Sequence, residues 1–156
     1  MCLLMRLWLC AMLAGAAGVA AAADISVVGA WSRATTLADL STGIGSDLSA
    51  DIEDSADITV LTITTNTGDG PWRVEVERTN DNGWPQGVDV AVRRGNVQGN
   101  CTSPTAGYIT LTEGKHTLCE GSGDASVEVE VKVHGATVRT RSGAYNLLIT
   151  YRVVPQ

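Results

Sequence analysis

The stretch Val127-Glu128-Val129-Glu130-Val131-Lys132-Val133-His134 alternates a valine with a polar residue at every step. A period of two matches a β-strand, in which successive side chains point to opposite faces, whereas a helix would scatter these valines around its circumference. The pattern therefore predicts a strand that buries its valines and turns its Glu, Lys and His side chains toward water. Such a strand needs partner strands, because it cannot bury an apolar face alone.

Partner strands with similar alternation or β-branched composition are expected along most of the chain. We place them at residues 25–31, 58–66, 72–79, 88–94, 108–113, 116–119, 137–141 and 144–154. Turns such as Gly121-Ser122-Gly123-Asp124 separate them, residues 32–57 are expected to form a long loop, and segments 108–113 and 116–119 a hairpin. The sequence thus predicts an all-β fold, a single antiparallel β-sandwich of about seven to nine strands.

Residues 1–23 have the features of a secretory signal peptide. Arg6 is their single charged residue, an apolar run follows it, and Ala21-Ala22-Ala23 offers small residues for cleavage before Asp24. An uncleaved membrane anchor is the alternative, since the apolar run is almost long enough to span a bilayer. We expect a signal peptide at 1–23 and a β-sandwich domain at 24–156, in a secreted, periplasmic or cell-surface protein.

The two cysteines outside the predicted signal peptide are Cys101 and Cys119. An even pair in an exported protein is expected to form a disulfide, and a metal site made from two cysteines alone is disfavoured. The bridge would stabilise the fold by about 3 kcal/mol, because it reduces the conformational entropy of the unfolded chain.

The charge balance argues against nucleic acid as a partner. Loss of Arg6 with the signal peptide leaves ten basic and 17 acidic residues, a net charge of −7. No basic cluster is longer than Arg93-Arg94, so a surface that follows a phosphate backbone is not expected. An acidic surface favours cationic or metal-ion partners, and we expect no association with membranes after signal cleavage.

Five carboxylates lie close together near the end of the predicted loop: Asp47, Asp51, Glu53, Asp54 and Asp57. Carboxylate oxygens are the ligands that Ca²⁺ prefers, so this stretch is the candidate calcium site of the chain. Its spacing does not match that of an EF-hand loop. A solvated acidic loop that binds no metal is the alternative.

Nothing in the sequence selects a catalytic centre. His116 and His134 are both expected on the surface, the cysteines are expected to be paired, and no nucleophile motif or phosphate-binding loop is present. Trp84 is the candidate for an exposed aromatic residue that binds a glycan. Trp72 is expected in the core, because it shares its strand face with two valines.

The step Gly143-Ala144-Tyr145 and the ending Ile149-Thr150-Tyr151-Arg152-Val153 resemble those of small secreted bacterial proteins with an immunoglobulin-like β-sandwich. Spore-coat-U-like and fimbrial-subunit-like domains are among these proteins. The resemblance implies an immunoglobulin-like sandwich with a structural role, and copies of itself or other cell-surface proteins as partners. The chain departs from pilins in having no obvious missing strand.

We therefore expect an exported, non-enzymatic structural or surface protein that assembles filaments by adding a strand of one subunit to the sheet of the next. The segment 24–31 is the expected donor, with Ile25, Val27 and Trp31 entering the neighbouring core; pairing within its own chain is the alternative. The second hypothesis is a secreted carbohydrate- or ligand-binding β-sandwich module that uses Trp84. An enzyme is the third.

Overall fold

The computed structural model describes residues 23–31, 34, 39–43, 46–49, 51–53, 59–79, 83–105, 107–140 and 143–156. Within these residues it contains eight β-strands and no α-helix. In chain order the strands are β1 (Asp24–Val28), β2 (Asp51–Glu53), β3 (Thr59–Thr64), β4 (Trp72–Thr79), β5 (Asp89–Thr102), β6 (Ile109–Thr110), β7 (His116–His134) and β8 (Leu148–Pro155). The predicted all-β, antiparallel fold is confirmed.

The sheet is built around β7. β5 pairs with one edge of β7 from Glu120 to His134. The opposite edge is shared end to end by three strands, β4 near its start, β3 in its middle and β2 at its end. β8 and β1 then extend the sheet beyond β4 and β3, which gives the order β1-β3-β7-β4-β8 with every pair antiparallel.

β7 bends between the residues that pair with β4 and those that pair with β3. Gly121 pairs with Trp72 of β4, and Ala125 pairs with Ile63 of β3. Gly123, between them, has a φ of 69°, a left-handed conformation that glycine adopts without steric cost. The indole N–H of Trp72 donates to the carbonyl oxygen of Gly123 at 2.9 Å. One continuous strand thereby serves both halves of a sandwich-like fold.

A single cluster of buried side chains joins the two halves of the sheet. On β7, Val127, Val129, Val131 and Val133 are all buried, as their period of two predicts, while His134 is exposed. The other large side chains with almost no exposure are Trp72, Val74, Val76, Leu61, Ile63, Val92, Leu111 and Leu118. Because full burial of a side chain of this size stabilises by about 1.5–3 kcal/mol relative to its exposure, these residues supply the main driving force for folding.

Two local predictions around β7 are wrong. Residues 121–124 do not form a turn between strands, since β7 runs through them as one strand of 19 residues and its pairing with β5 continues on both sides of the bend. Segments 108–113 and 116–119 do not form a hairpin. β6 pairs instead with Ala91 and Val92 of β5, while His116 opens β7.

Three other predictions differ from the structure. β5 continues to Thr102 rather than ending at residue 94. β2 lies inside the predicted loop 32–57, because Ile52 is buried in the core between two exposed acidic residues. Within 137–141, predicted as a strand, residues 137–140 form a turn in which the Thr140 N–H donates to the Thr137 carbonyl at 2.9 Å.

We predict that Gly121→Ala destabilises the protein strongly. A Cβ atom at this position would overlap the carbonyl oxygen of Asn100 and lie 2.7 Å from Cη2 of the Trp72 ring. Overpacking of this kind lowers the free energy of unfolding by about 1–3 kcal/mol, and backbone leaves less room to relax than a side chain does. The measurement is urea denaturation followed by tryptophan fluorescence.

Gly70→Ala is the matched control for this experiment. A Cβ atom at Gly70 would meet nothing within 4 Å, so we expect a change within about 0.5 kcal/mol. Equal stability of the Gly121→Ala and Gly70→Ala variants would show that the bend does not constrain β7.

Candidate functional site

The predicted disulfide is present: the Sγ atoms of Cys101 and Cys119 are bonded, with their Cα atoms 5.7 Å apart. Cys101 lies near the end of β5 and Cys119 near the start of β7, where the two strands pair. Both cysteines belong to the hydrophobic core, with relative exposures of 5% and 0%. The bridge therefore joins the two longest strands at the part of β7 that pairs with β4.

We predict that loss of this bridge destabilises the protein by about 3 kcal/mol, since the cross-link closes a loop of 18 positions and restricts the unfolded chain. The Cys101→Ala, Cys119→Ala double variant should show this loss in urea denaturation. Reduction of the unchanged protein should produce a similar loss. Labelling of two thiols in the unfolded, unreduced protein would contradict the bond.

Of the five candidate calcium ligands, the structure describes Asp47, Asp51 and Glu53. Asp54 and Asp57 lie outside the described residues, so the prediction that includes them remains a prediction. Asp47 accepts hydrogen bonds from the backbone N–H groups of Val138 and Leu48, each at 2.9 Å. These two bonds, that from Val138 above all, lower the pKa of Asp47 below its usual range. Asp47 thus links the turn after β7 to the segment before β2 through hydrogen bonds.

Asp51 and Glu53 are placed on β2, along the outer edge of β7. Asp51 accepts a hydrogen bond from Nζ of Lys132 at 3.1 Å, and its other oxygen lies 2.7 Å from Nδ1 of His134. Across the described part of the chain, no three His, Cys, Asp or Glu side chains converge closely enough to hold a metal ion. Both oxygens of Asp51 are already engaged, one by Lys132 and the other by His134, and these side chains compete with any added cation for them.

A polar cluster covers the outer face where β2, β7 and β5 lie side by side. Tyr108 lies beneath two cations, with Nζ of Lys132 at 4.4 Å and the guanidinium carbon of Arg93 at 4.7 Å from its ring centroid. Arg93 in turn donates from Nε to Glu130 at 2.8 Å. Burial raises the pKa of Tyr108 to about 12, and the neighbouring Glu53 carboxylate acts in the same direction. The cluster holds the segment before β6 against the sheet.

The two histidines differ in their surroundings. His134 is exposed at the end of β7, as the alternation predicted, and contacts Asp51. His116 is half-buried, and its Nε2 lies 2.9 Å from Oγ1 of Thr112. Each ring is thus engaged by a neighbouring side chain that orients it at the surface of the sheet.

The predicted donor segment lies on its own sheet. β1 pairs with β3 from Asp24 opposite Thr64 to Val28 opposite Val60. Ile25 and Trp31 are half-buried against the core, whereas Val27 is 47% exposed. Ala23, the last residue of the predicted signal peptide, is buried in the full chain.

Trp84, the candidate glycan-binding residue, is half-buried and packs against the core. Its Nε1 donates to the Val88 carbonyl at 2.7 Å, and its ring meets Tyr145 edge-on, with centroids 6.3 Å apart and planes at 70°. Beside this pair opens a cleft of about 500 Å³, lined by three turn segments that include Gln86, Arg139 and Tyr145. We refer to it as the Tyr145 cleft.

Sequence reasoning did not assign Arg139 or Tyr145 to a binding site. The residues of the Tyr145 cleft come from 83–86, which precede β5, and from 139–140 and 143–145, which follow β7. The Gly143-Ala144-Tyr145 step was the available signal, but by itself it indicates only a bend before a last strand.

No protein-family model, curated protein or solved structure matches this chain. Among the described residues, no helix has the length and apolar character required to cross a membrane.

We predict that Asp51 stabilises β2 in a pH-dependent way. The hydrogen bond with His134, followed by that with Lys132, lowers the pKa of Asp51 below the 3.8 of a free carboxyl. A folded-state pKa that is depressed contributes stability above the unfolded value, and this stability is lost as the pH falls through the folded value. Asp51→Asn should therefore lower the urea midpoint at neutral pH and leave it unchanged well below pH 3.8.

Asp89→Asn is the control, because Asp89 flanks His134 from the β5 side without a hydrogen bond or ion pair to the described residues. We expect its urea midpoint to follow that of the unchanged protein across the pH range. A difference between the Asp51→Asn variant and the unchanged protein that persisted at low pH would contradict the role of the ionised carboxylate.

Proposed function

We propose that the exported chain is a non-enzymatic structural subunit that assembles with copies of itself by exchanging the strand β1. The observation that carries the proposal is the position of β1 in the sheet. It is the terminal strand of the order β1-β3-β7-β4-β8, and it pairs with β3 along five residues only. No strand of the described residues pairs with its other edge, which there presents backbone N–H and C=O groups to an extended segment.

The side chains of β1 suit an exchangeable strand. Ile25 and Val27 lie opposite Ile63 and Leu61 in the register, so they share the core-facing side of the sheet. Val27 and Val28 are nevertheless 47% and 66% exposed. Natural edge strands are usually protected by charges or proline, whereas Asp24 is the only such residue in β1.

Exchange requires no new interface, because the neighbouring subunit offers the same β3. The register that pairs Asp24 with Thr64 and Val28 with Val60 would be repeated between two chains with the same side-chain contacts. The free-energy difference between the closed monomer and the exchanged assembly then depends mainly on concentration and on the connection after β1.

The connection after β1 is long enough for the exchange. A bridge between Leu40 and Leu48 closes part of it. Even with that bridge intact, residues 29–39 reach about 36 Å when extended, at roughly 3.3 Å per residue. That distance is more than twice the radius of gyration of about 14 Å expected for a domain of this size.

Cross-linking between two single-cysteine variants tests the exchange. Ser26 and Thr62 are exposed partners in the β1–β3 register. We predict that Ser26→Cys and Thr62→Cys chains, mixed after partial unfolding and refolded at high concentration without reductant, form a disulfide-linked dimer. The product is measured on a non-reducing gel, because only a strand that has crossed to another chain places these two positions side by side.

Two controls decide the result. A mixture of Ser26→Cys with Thr110→Cys, which lies in β6 away from β3, should form no specific dimer. The Ser26→Cys, Thr62→Cys double variant should form the bond within one chain when diluted. A bond that forms within the double variant but never between the single variants would refute assembly by exchange of β1.

A further inference from the structure

The Tyr145 cleft is lined by an aromatic residue whose ring contacts a second aromatic ring. Trp84 meets Tyr145 edge-on, and the Trp84 indole N–H is committed to the Val88 carbonyl at 2.7 Å. Trp84 therefore supports the Tyr145 ring, and the ring that lines the cleft is that of Tyr145. A fixed aromatic ring with a polar tip suits a ligand that is apolar on one face and polar around its rim, as a pyranose is.

Gly143 lines the cleft next to this ring. A Cβ atom at position 143 would lie 3.6 Å from Cζ of Tyr145 and 3.7 Å from its hydroxyl oxygen, at ordinary van der Waals distance. A side chain there would fit the fold but would cover part of the phenol. The glycine thus leaves space that a ligand ring can occupy.

Arg139 supplies a positive charge at the same cleft. It is exposed, and none of the described carboxylates forms an ion pair with its guanidinium group. The planar guanidinium matches a carboxylate through two parallel hydrogen bonds, which are stronger than hydrogen bonds between neutral groups. Arg139 also contributes, through a longer-range electrostatic interaction, to lowering the pKa of Asp47.

Neutral hydrogen-bonding groups also line the cleft. Gln86 offers an amide that can both donate and accept, and Thr140 offers a hydroxyl. The Thr140 Oγ1 accepts a hydrogen bond from the Thr137 N–H at 3.0 Å, so its own proton is available to a ligand oxygen. The volume of about 500 Å³ lies within the range of about 300–1,000 Å³ for small-molecule sites.

We infer that the Tyr145 cleft binds a saccharide that carries a carboxylate, a uronic acid unit within an acidic polysaccharide. The sugar ring stacks on Tyr145, its carboxylate pairs with Arg139, and its hydroxyl groups bond to Gln86 and Thr140. The inference is independent of the exchange of β1, because the cleft is formed by turns that do not include that strand.

Calorimetric titration of the secreted protein with a trigalacturonic acid probe tests this inference. The methyl-esterified form of the same trisaccharide is the matched neutral probe. We expect saturable binding of the acid and at least about tenfold weaker binding of the ester, since a charge-assisted pair is lost. Equal affinity for the two probes, or no saturation by the acid at millimolar concentration, would overturn the inference.

Three variants assign the binding to the cleft. Arg139→Gln should weaken binding of the acid by about tenfold or more and leave binding of the ester unchanged. Gly143→Ala should weaken binding of both probes without changing the urea midpoint, because the added methyl group fits the fold. Arg152→Gln removes the same charge from an exposed position on β8 and should have no effect. A similar loss in Arg152→Gln and Arg139→Gln would refute the site, since it would show attraction to overall charge alone.

Discussion

The fold depends on one strand of nineteen residues that pairs with neighbours along both edges over most of its length. A straight strand of that length would extend beyond its short partner strands in a single flat sheet. Part of its apolar face would then have no side chains to pack against. β7 solves this by bending at Gly121–Gly123, so that β4 and β3 follow one another along the same edge. Only glycine tolerates the close approach of Asn100 and the Trp72 ring at Gly121. The core of both halves is thereby continuous through a single chain segment.

The parts of the fold that follow from periodicity could be predicted from the sequence. The valines of β7 and the Trp72–Thr79 strand have an unbroken period of two, and the structure gives them the expected burial. Glycine-rich stretches were harder to predict. Gly121–Gly123 has a composition typical of a turn, but in the structure it lies at a bend within one strand. β2 was missed because a single buried residue, Ile52, holds it in place. That contact is made with another part of the chain and leaves no local pattern.

The candidate sites show the same division between local and distant information. The pairing of Cys101 and Cys119 could be predicted because they are the only two cysteines outside the predicted signal peptide. The neighbours of Asp51 could not, since Lys132 and His134 lie 81 and 83 positions away and are brought close by the register of β2 on β7. The residues that line the Tyr145 cleft lie before β5 and after β7, and they show no periodicity that would indicate their proximity.

The order of the strands also has a consequence for the kinetics of folding. β5 and β7 are joined by residues 103–115 and form the longest pair, so their association closes a short loop and can occur early. β1 must wait for β3, from which residues 29–58 separate it, and β3 itself needs β7 as its template. In the exported subunit that we propose, the strand that leaves the export channel first would then be the last to be incorporated. During that interval the edge of β3 that receives β1 would be unpaired, and in the proposed assembly the β1 strands of neighbouring chains would compete for it.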